Sequence, residues 1–298
     1  MIDLEARKKG IGSSDAPAVI GISEYRTRLD VYLDKVDEAP PVEDNDAMFW
    51  GRTLEEVIAN VYAERTGHKI RRRGQVTSKD HKWMQANLDR LIVGDPRGVG
   101  ALEIKTAGSY MAGEWGEAGT DQVPPAVYAQ VAHQLGVTGY TWARVAVLIG
   151  GRDFRIYDIP RDEDVINSLI EIERQFWIEH VEARVPPEPQ TKADIDKRWP
   201  IDNGELAFAT AEIQDAVDRL NTVKTRIGVL SFEKEALEND VKKSMREASQ
   251  LIGLDGQTLA TWKTQESKRL DEKAVKAALG DELHVYQTIT KSRVLRIK

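Results

Sequence analysis

The sequence predicts an α/β (α+β) chain, with a central mixed sheet flanked by helices, then a long helical region and a small β-α-β unit. Three observations predict it. Between residues 13 and 183, stretches with helical apolar spacing are interleaved with stretches of strand composition, the pattern of helices packed around one sheet. The stretch "RVPPEP" at 184–189 then interrupts the chain with three prolines. Beyond it, residues 205–250 are charged and almost free of breakers, and Ile213, Val217, Leu220, Ile227, Leu237, Val241 and Met245 recur roughly every three or four residues or at multiples of that spacing. These boundaries divide the 298 residues into a core at 1–189, a long helical region at 190–256 and a small module at 257–298.

The elements follow in order. Residues 13–36 read as short helices, one with Ser14 as N-cap and Pro17 in its first turn, the next capped by Thr27 and running to Lys35. "AMFWGRTLEEVIANVYAERTG" is an amphipathic helix ended by Gly67, with Leu54, Val57, Ile58, Val61 and Tyr62 on its apolar face. Residues 68–78, 83–93 and 99–107 read as strands, and "DPRG" at 95–98 is a turn. A helix begins at Pro124. "TWARVAVLI" and "DFRIYDI" form a hairpin around Gly150-Gly151, and a charged helix occupies about 162–183. Residues 205–250 form a long helix or helical hairpin, with Gly228 as a candidate kink. After it come a strand at "QTLATWKTQ", an Asp271-capped helix and a final strand at "HVYQTITKSRVLRIK".

Composition narrows the chemistry. The chain has no cysteine, which excludes disulfides, iron–sulfur clusters and thiolate zinc sites and suits a reducing cytosol. "MIDLEARKKG" carries no apolar signal region, and no apolar run is long enough to span a bilayer. We therefore expect a cytoplasmic protein with no membrane association. A net charge of −7 argues against a surface coated for nucleic acid, though a local basic channel is compatible with it. Arg7-Lys8-Lys9 and Arg71-Arg72-Arg73, taken alone, read as solvated surface.

The stretch "GVGALEIKTAGSY" carries the chemistry. Ala101, Leu102 and Ile104 read as buried strand, yet Glu103 and Lys105 lie among them, two apart and so on one face. A hairpin centred on Pro96-Arg97 pairs positions whose numbers sum to about 193, which sets Asp89 opposite Glu103 or Ile104. Two adjacent carboxylates repel, and a cation between them relieves the repulsion. Oxygen-only ligands suit Mg²⁺, with Mn²⁺ as a substitute, better than zinc. Lys105 can orient or deprotonate a water, or stabilise charge on a phosphate. A cross-strand salt bridge on a solvated face would give the same local pattern.

More of the chain matches. "RKKGIGSSDAPAVIGIS", "WGRTLEE", "NLDRLI", "ALEIKTA" and "YAQVAHQLGVTG" occur in that order. Together they resemble the PD-(D/E)xK nuclease core, in particular its lambda-exonuclease-like branch of YqaJ-type phage recombinases, over about residues 7–160. The family often has S-P-D-G at its site aspartate, where this chain has Asn87-Leu88-Asp89-Arg90. Loss of the proline and glycine predicts a less bent strand, with Arg90 on the face opposite Asp89.

The resemblance implies a restriction-endonuclease-like fold and a set of roles. Asp89 and Glu103, with the backbone carbonyl of Ile104, would hold metal, and Glu55 would reach a second ion or its waters. Gln130 would orient Lys105 or a water. His133 shares a helix face with Gln130 and reads as a packed histidine, or as a contact to nucleic acid. Arg7 and Ser14, at a helix start, would clamp a 5′-phosphate. The activity implied is an ATP-independent, Mg²⁺-dependent 5′→3′ exonuclease on linear double-stranded DNA, working with a single-strand annealing protein and forming a trimeric ring. An endonuclease on the same core and a non-catalytic DNA-end-binding protein are the alternatives. The basic end of the chain suggests an accessory nucleic-acid or partner module, or else a structural cap.

Overall fold

The computed structural model describes residues 4–39 and 44–297. They divide into two compact units, Met1–Arg198 and Trp199–Lys298. In the first unit the order is α1 (Leu4–Lys8), β1 (Ile11–Gly12), α2 (Ala16–Val19), α3 (Arg28–Lys35), α4 (Asp46–Thr66), β2 (Lys69–Arg71), β3 (Val76–Thr77), β4 (Met84–Ala86) and β5 (Arg90–Asp95). It continues with β6 (Gly98–Ala107), α5 (Pro125–Thr138), β7 (Trp142–Ile149), β8 (Asp153–Pro160), α6 (Glu163–Phe176) and α7 (Lys192–Arg198).

The central sheet has five strands in the order β2-β5-β6-β7-β8. It is mixed: β6 and β7 pair in parallel through the α5 crossover, and the other neighbours are antiparallel. The β7–β8 hairpin turns through Gly150, Gly151 and Arg152, and the positive φ angles of 58° and 73° at the two glycines suit turn positions that side chains would strain. Side chains alternate along β6. Leu102 and Ile104 face α4, where they pack with Ile58, Ala59 and Tyr62, while Ala101 faces the opposite cluster built by α5 and α6. Burying Ile58 or Tyr62 in this way contributes roughly 1.5–3 kcal/mol each. The same alternation turns Glu103 and Lys105 toward α5.

Local signals set the helix ends. Thr27 and Asp30 form a reciprocal capping box on α3, Asn45 caps α4, and Gly67 ends α4 in the left-handed conformation. α6 runs on through a wider turn at Trp177–Glu182. After the proline-rich stretch the chain returns to the first unit. The buried Asp194 accepts a hydrogen bond from Thr27 at 2.8 Å and others from the Gln190 and Thr191 amides.

Four local expectations need correction. Residues 68–78 are not one strand: β2 belongs to the central sheet, whereas β3 joins a separate three-stranded sheet, β1-β4-β3. Residues 83–93 divide likewise, β4 lying in the small sheet and β5 in the central one, so the chain changes sheets at Asn87–Asp89. Asp89 sits in this bend, so loss of the family's proline and glycine does not straighten the strand. Val57 is 53% exposed, because the apolar face of α4 is narrower than its spacing suggests.

In the second unit, α8 (Ala211–Met245) is one helix of 35 residues, continuous through Gly228 and capped by Thr210. β9 (Gln250–Ile252) and β10 (Thr258–Thr261) form an antiparallel hairpin, and α9 (Glu272–Leu279) is capped by Asp271. The final strand is absent: residues 287–297 have no regular structure, so the β-α-β reading gives way to a hairpin followed by a helix. No helix among the described residues is long and apolar enough to cross a membrane.

Candidate active site

The change of sheets at Asn87–Asp89 places Asp89 beside β6. The register pairs Arg90 with Leu102 and Leu91 with Ala101, and extending it by one residue sets Asp89 against Glu103. The Asp89 carboxylate accepts a hydrogen bond from the Ile104 amide at 2.8 Å. Loss of water around it and repulsion from Glu103 push the Asp89 carboxyl well above the usual range, against the opposing pull of the Ile104 amide and Lys105.

Glu103 is 3% exposed and held on both oxygens. Its Oε1 accepts from Lys105 Nζ and from Gln130 Nε2, both at 2.6 Å, and its Oε2 accepts from Gln134 Nε2 at 2.6 Å. Lys105 also donates to Gln130 Oε1 at 2.8 Å. Gln130 and Gln134 are one helical turn apart on α5, so a single helix face grips one carboxylate. Gln134 was missed by sequence reasoning, although its four-residue spacing from Gln130 was the available signal.

Glu55 projects from α4 toward the same region but is tied to Arg90, whose Nη1 donates to Glu55 Oε1 at 2.6 Å and to the Asp89 carbonyl at 2.5 Å. The second guanidinium nitrogen of Arg90 donates to Glu56 at 2.7 Å. Arg90, only 4% exposed, therefore fixes the α4 glutamates against the aspartate bend. Its place after Asp89 showed it facing away, but its partners on α4 could not be read from so distant a segment.

Asp89 lies between two concavities. The smaller, of 180 Å³, is lined by Arg7, Ser13, Ser14, Gln85, Asn87, Asp89 and Gln130. The larger, of 550 Å³, is lined by Arg52, Glu55, Glu56, Arg72, Arg73, Asp89 and Arg90. Arg72 and Arg73, read as solvated surface, thus border the site, with Arg72 paired to Glu56.

The expected N-cap needs correction. Ser14 is exposed, and the cap position of α2 belongs to Asp15, whose side chain bonds no helix amide. Asp15 is fully buried and accepts from Lys35 at 2.7 Å, from Arg26 at 2.6 Å and from the Gly12 amide at 3.1 Å, with Arg7 at 3.6 Å. Burial works against its ionised form, but Lys35, Arg26 and Arg7 outweigh it and hold the carboxyl far below the ordinary range. With four residues, α2 is too short to act as an anion-binding helix end. The cationic groups around Asp15 give this corner its character instead, and Arg7 and Ser14 still line the smaller cavity.

His133 does not reach the cavity. It is completely buried between Glu173 Oε1 and the Gln85 carbonyl, each at 2.8 Å. Burial alone would lower its pKa, but the charge and hydrogen bond of Glu173 and the Gln85 carbonyl raise it overall. Both partners accept, so both ring nitrogens donate in the protonated ring.

Among the described residues, no three His, Cys, Asp or Glu side chains converge on one metal-sized position. Glu103 is engaged by Lys105 and two glutamines, and Glu55 by Arg90. The donor set nonetheless fits a hard divalent cation. It is made of oxygen atoms only, and the Asp89–Glu103 repulsion is of the kind a bound cation relieves.

Comparison with known proteins bears on this arrangement. The YqaJ-like viral recombinase domain matches residues 4–141. The uncharacterised protein YqaJ of Bacillus subtilis (strain 168) is 32% identical over 299 residues, covering 97% of this chain and 90% of that protein. The chain belongs to the YqaJ-like viral recombinase family. A nuclease acting in recombination is the function that this family suggests. Solved structures similar to this member of the YqaJ-like family include an alkaline exonuclease, LHK-Exo, from Laribacter hongkongensis, with a TM-score of 0.49, 20% identity and coverage of 61% of this chain and 92% of that one. A phage-related exonuclease from Haemophilus somnus 129PT has a TM-score of 0.41, 12% identity and coverage of 59% and 96%.

Proposed function

We propose that this protein is an ATP-independent, Mg²⁺-dependent 5′→3′ exonuclease that resects linear double-stranded DNA for recombination by single-strand annealing. The observation that carries the reading is the pairing of Asp89 with Glu103 beside Lys105, with Asp89 and Gln130 on the wall of a cavity that Arg7 and Ser14 also line.

Asp89, Glu103 and the Ile104 carbonyl would hold the cation, and Glu55 would reach a second ion or its waters. Bound there, the metal would polarise the scissile phosphate and lower the pKa of an attacking water. The side chains do the rest. Lys105, held by Glu103 and Gln130, is placed to orient the water or to stabilise charge on the phosphate. Gln130 and Gln134 fix the Glu103 carboxylate. Arg90 holds Glu55 until a cation competes for it. Arg72 and Arg73 border the adjoining groove, where a phosphate backbone can lie. Arg7 and Ser14 support selection of a 5′-phosphate, and so the direction of digestion. Work in the host cytoplasm, a trimeric ring around the duplex and hand-over to an annealing protein complete the reading, and they rest on the family resemblance.

The test is digestion of linear duplexes that differ only in 5′-phosphate and in the labelled end, with and without EDTA. The reading expects EDTA-sensitive loss of label from the 5′ end, and Arg7→Ala to reduce the preference for a 5′-phosphate by about tenfold or more. Cutting of a covalently closed or nicked circle would favour the endonuclease, and a duplex left intact with Mg²⁺ would sink the assignment.

A further inference from the structure

Helix α8 carries a stripe of exposed apolar residues whose period is seven. Ile213, Leu220, Ile227 and Val241 occupy one heptad position, and Val223, Leu230 and Leu237 occupy the position three residues on. The first and second sets are 38–57% and 51–60% exposed respectively. A seven-residue repeat held from Ile213 to Val241, with Lys234 as its one polar member, is the pattern of a coiled-coil seam, and it differs from the 3.6-residue period of a helix lying on a globular core. Among the described residues of the second unit, the other α-helix, α9, has eight residues and cannot cover such a seam.

We propose that α8 pairs with α8 of a second copy of this chain as an antiparallel coiled coil. The flanking charges choose both the partner and the direction. In a parallel in-register pair, the positions bordering the seam would set Arg219 against the second copy's Lys224 and Glu233 against its Glu238, like charge on like charge. Run antiparallel, with Ile227 against Leu230 at the centre, the same helix sets Arg226 against Glu233 and Arg219 against Asp240, each pair twice by symmetry. No like-charged pair is then formed along these borders. The seam layers become Leu220 with Leu237 and Ala216 with Val241. Lys234 meets Val223, and its head is already turned to Glu238 at 3.1 Å, which leaves its stem to pack.

The hairpin supports this direction. A groove of 830 Å³ runs between the second half of α8 and β10, walled by Leu237, Val241, Met245, Ala260 and Trp262. In the antiparallel alignment the first turns of the other helix arrive there, and they set the small Ala216 against Val241 on the wall of the groove. The pairing is twofold. It is therefore a contact separate from a threefold ring, because a rotation of a third of a turn cannot set two related helices antiparallel.

The absence of cysteine makes the test clean. Full-length Leu220→Cys and Leu237→Cys chains, carrying tags of different size, are oxidised separately and after co-expression. The proposal expects a disulfide-linked heterodimer from the co-expressed pair and no cross-link from either chain alone. Cross-linking of Leu220→Cys with itself would overturn it in favour of a parallel pair, and no cross-link in any arm would overturn the pairing. Independently, Arg226→Glu should halve the mass measured by light scattering, and adding Glu233→Arg should restore it. A mass unchanged by Arg226→Glu would also count against the proposal. Cleavage of short duplexes, followed in parallel, reports on the nuclease reading separately, because neither substitution lies in that site.

Discussion

The two units handle their difficult side chains in opposite ways. In the first, charged groups are buried and each finds its partners within the chain: Asp15 with Lys35 and Arg26, Glu103 with Lys105 and two glutamines, His133 with Glu173. In the second, the apolar stripe of α8 is left open over its middle, where Ile227 and Leu230 are more than half exposed. Buried charge is costly unless it is satisfied, so the first unit must complete its network by itself. Exposed apolar surface costs less per residue and can be satisfied by another molecule.

This contrast can be broken by experiment, and the largest effect belongs to the first unit. Glu103→Gln or Asp89→Asn should abolish Mg²⁺-dependent cleavage to the level seen in EDTA, while circular dichroism stays native. Turnover retained by either variant would detach the carboxylates from the chemistry. Lys105→Met should reduce turnover by about 10²–10⁴-fold, the range for a positioned acid–base group. Gln134→Leu, which frees one oxygen of Glu103, should lower activity or apparent metal affinity by about 10–100-fold, read from a Mg²⁺ titration. A titration identical to wild type would show that Gln130 and Lys105 hold the carboxylate unaided.

His133 provides a smaller effect with a definite sign. Its pKa is raised in the folded protein, so its pairing with Glu173 stabilises fully below the unfolded value of about 6.5. That contribution fades as pH rises through the folded value. His133→Gln should therefore flatten the decline of the melting temperature on the alkaline side, with a change of about 2–4 °C for each kcal/mol lost. An unaltered pH profile would mean that folding leaves the pKa of the ring where it lies in the unfolded chain. The smallest effect lies on α8, where Leu230→Gln should leave the unfolding free energy of dilute protein within about 0.5 kcal/mol of wild type. A large loss at every concentration would show that the stripe packs within its own chain.

The same contrast decides what could be read from the sequence. The convergence of Asp89, Glu103 and Lys105 was legible because one hairpin places them, and hairpin register follows from a turn signal and strand alternation. Gln130 was legible through its motif. Gln134, Arg90 and Asp15 were not read as structural anchors, because each acquires its meaning from a partner 20 or more residues away. The strand readings at 68–78 and 83–93 failed for a related reason. Composition reports that a segment is extended, but not which sheet receives it, and both segments cross from one sheet to another. The caps at Thr27 and Asp271 were correct because capping is local, whereas Ser14 lost its place to Asp15, whose partners Lys35 and Arg26 lie beyond the local motif.

The hairpin that joins Asp89 to β6 also sets an order in time. The Asp89–Ile104 bond closes a loop of 15 residues, whereas the Gln134–Glu103 and Arg90–Glu55 bonds span 31 and 35. Hairpins close in about 1–10 μs, and the parallel β6–β7 pairing must wait for a whole crossover to fold back. The two carboxylates therefore meet before the helices that restrain them arrive. A folding chain thus passes through a moment when this pair of carboxylates exists without its glutamine clamp.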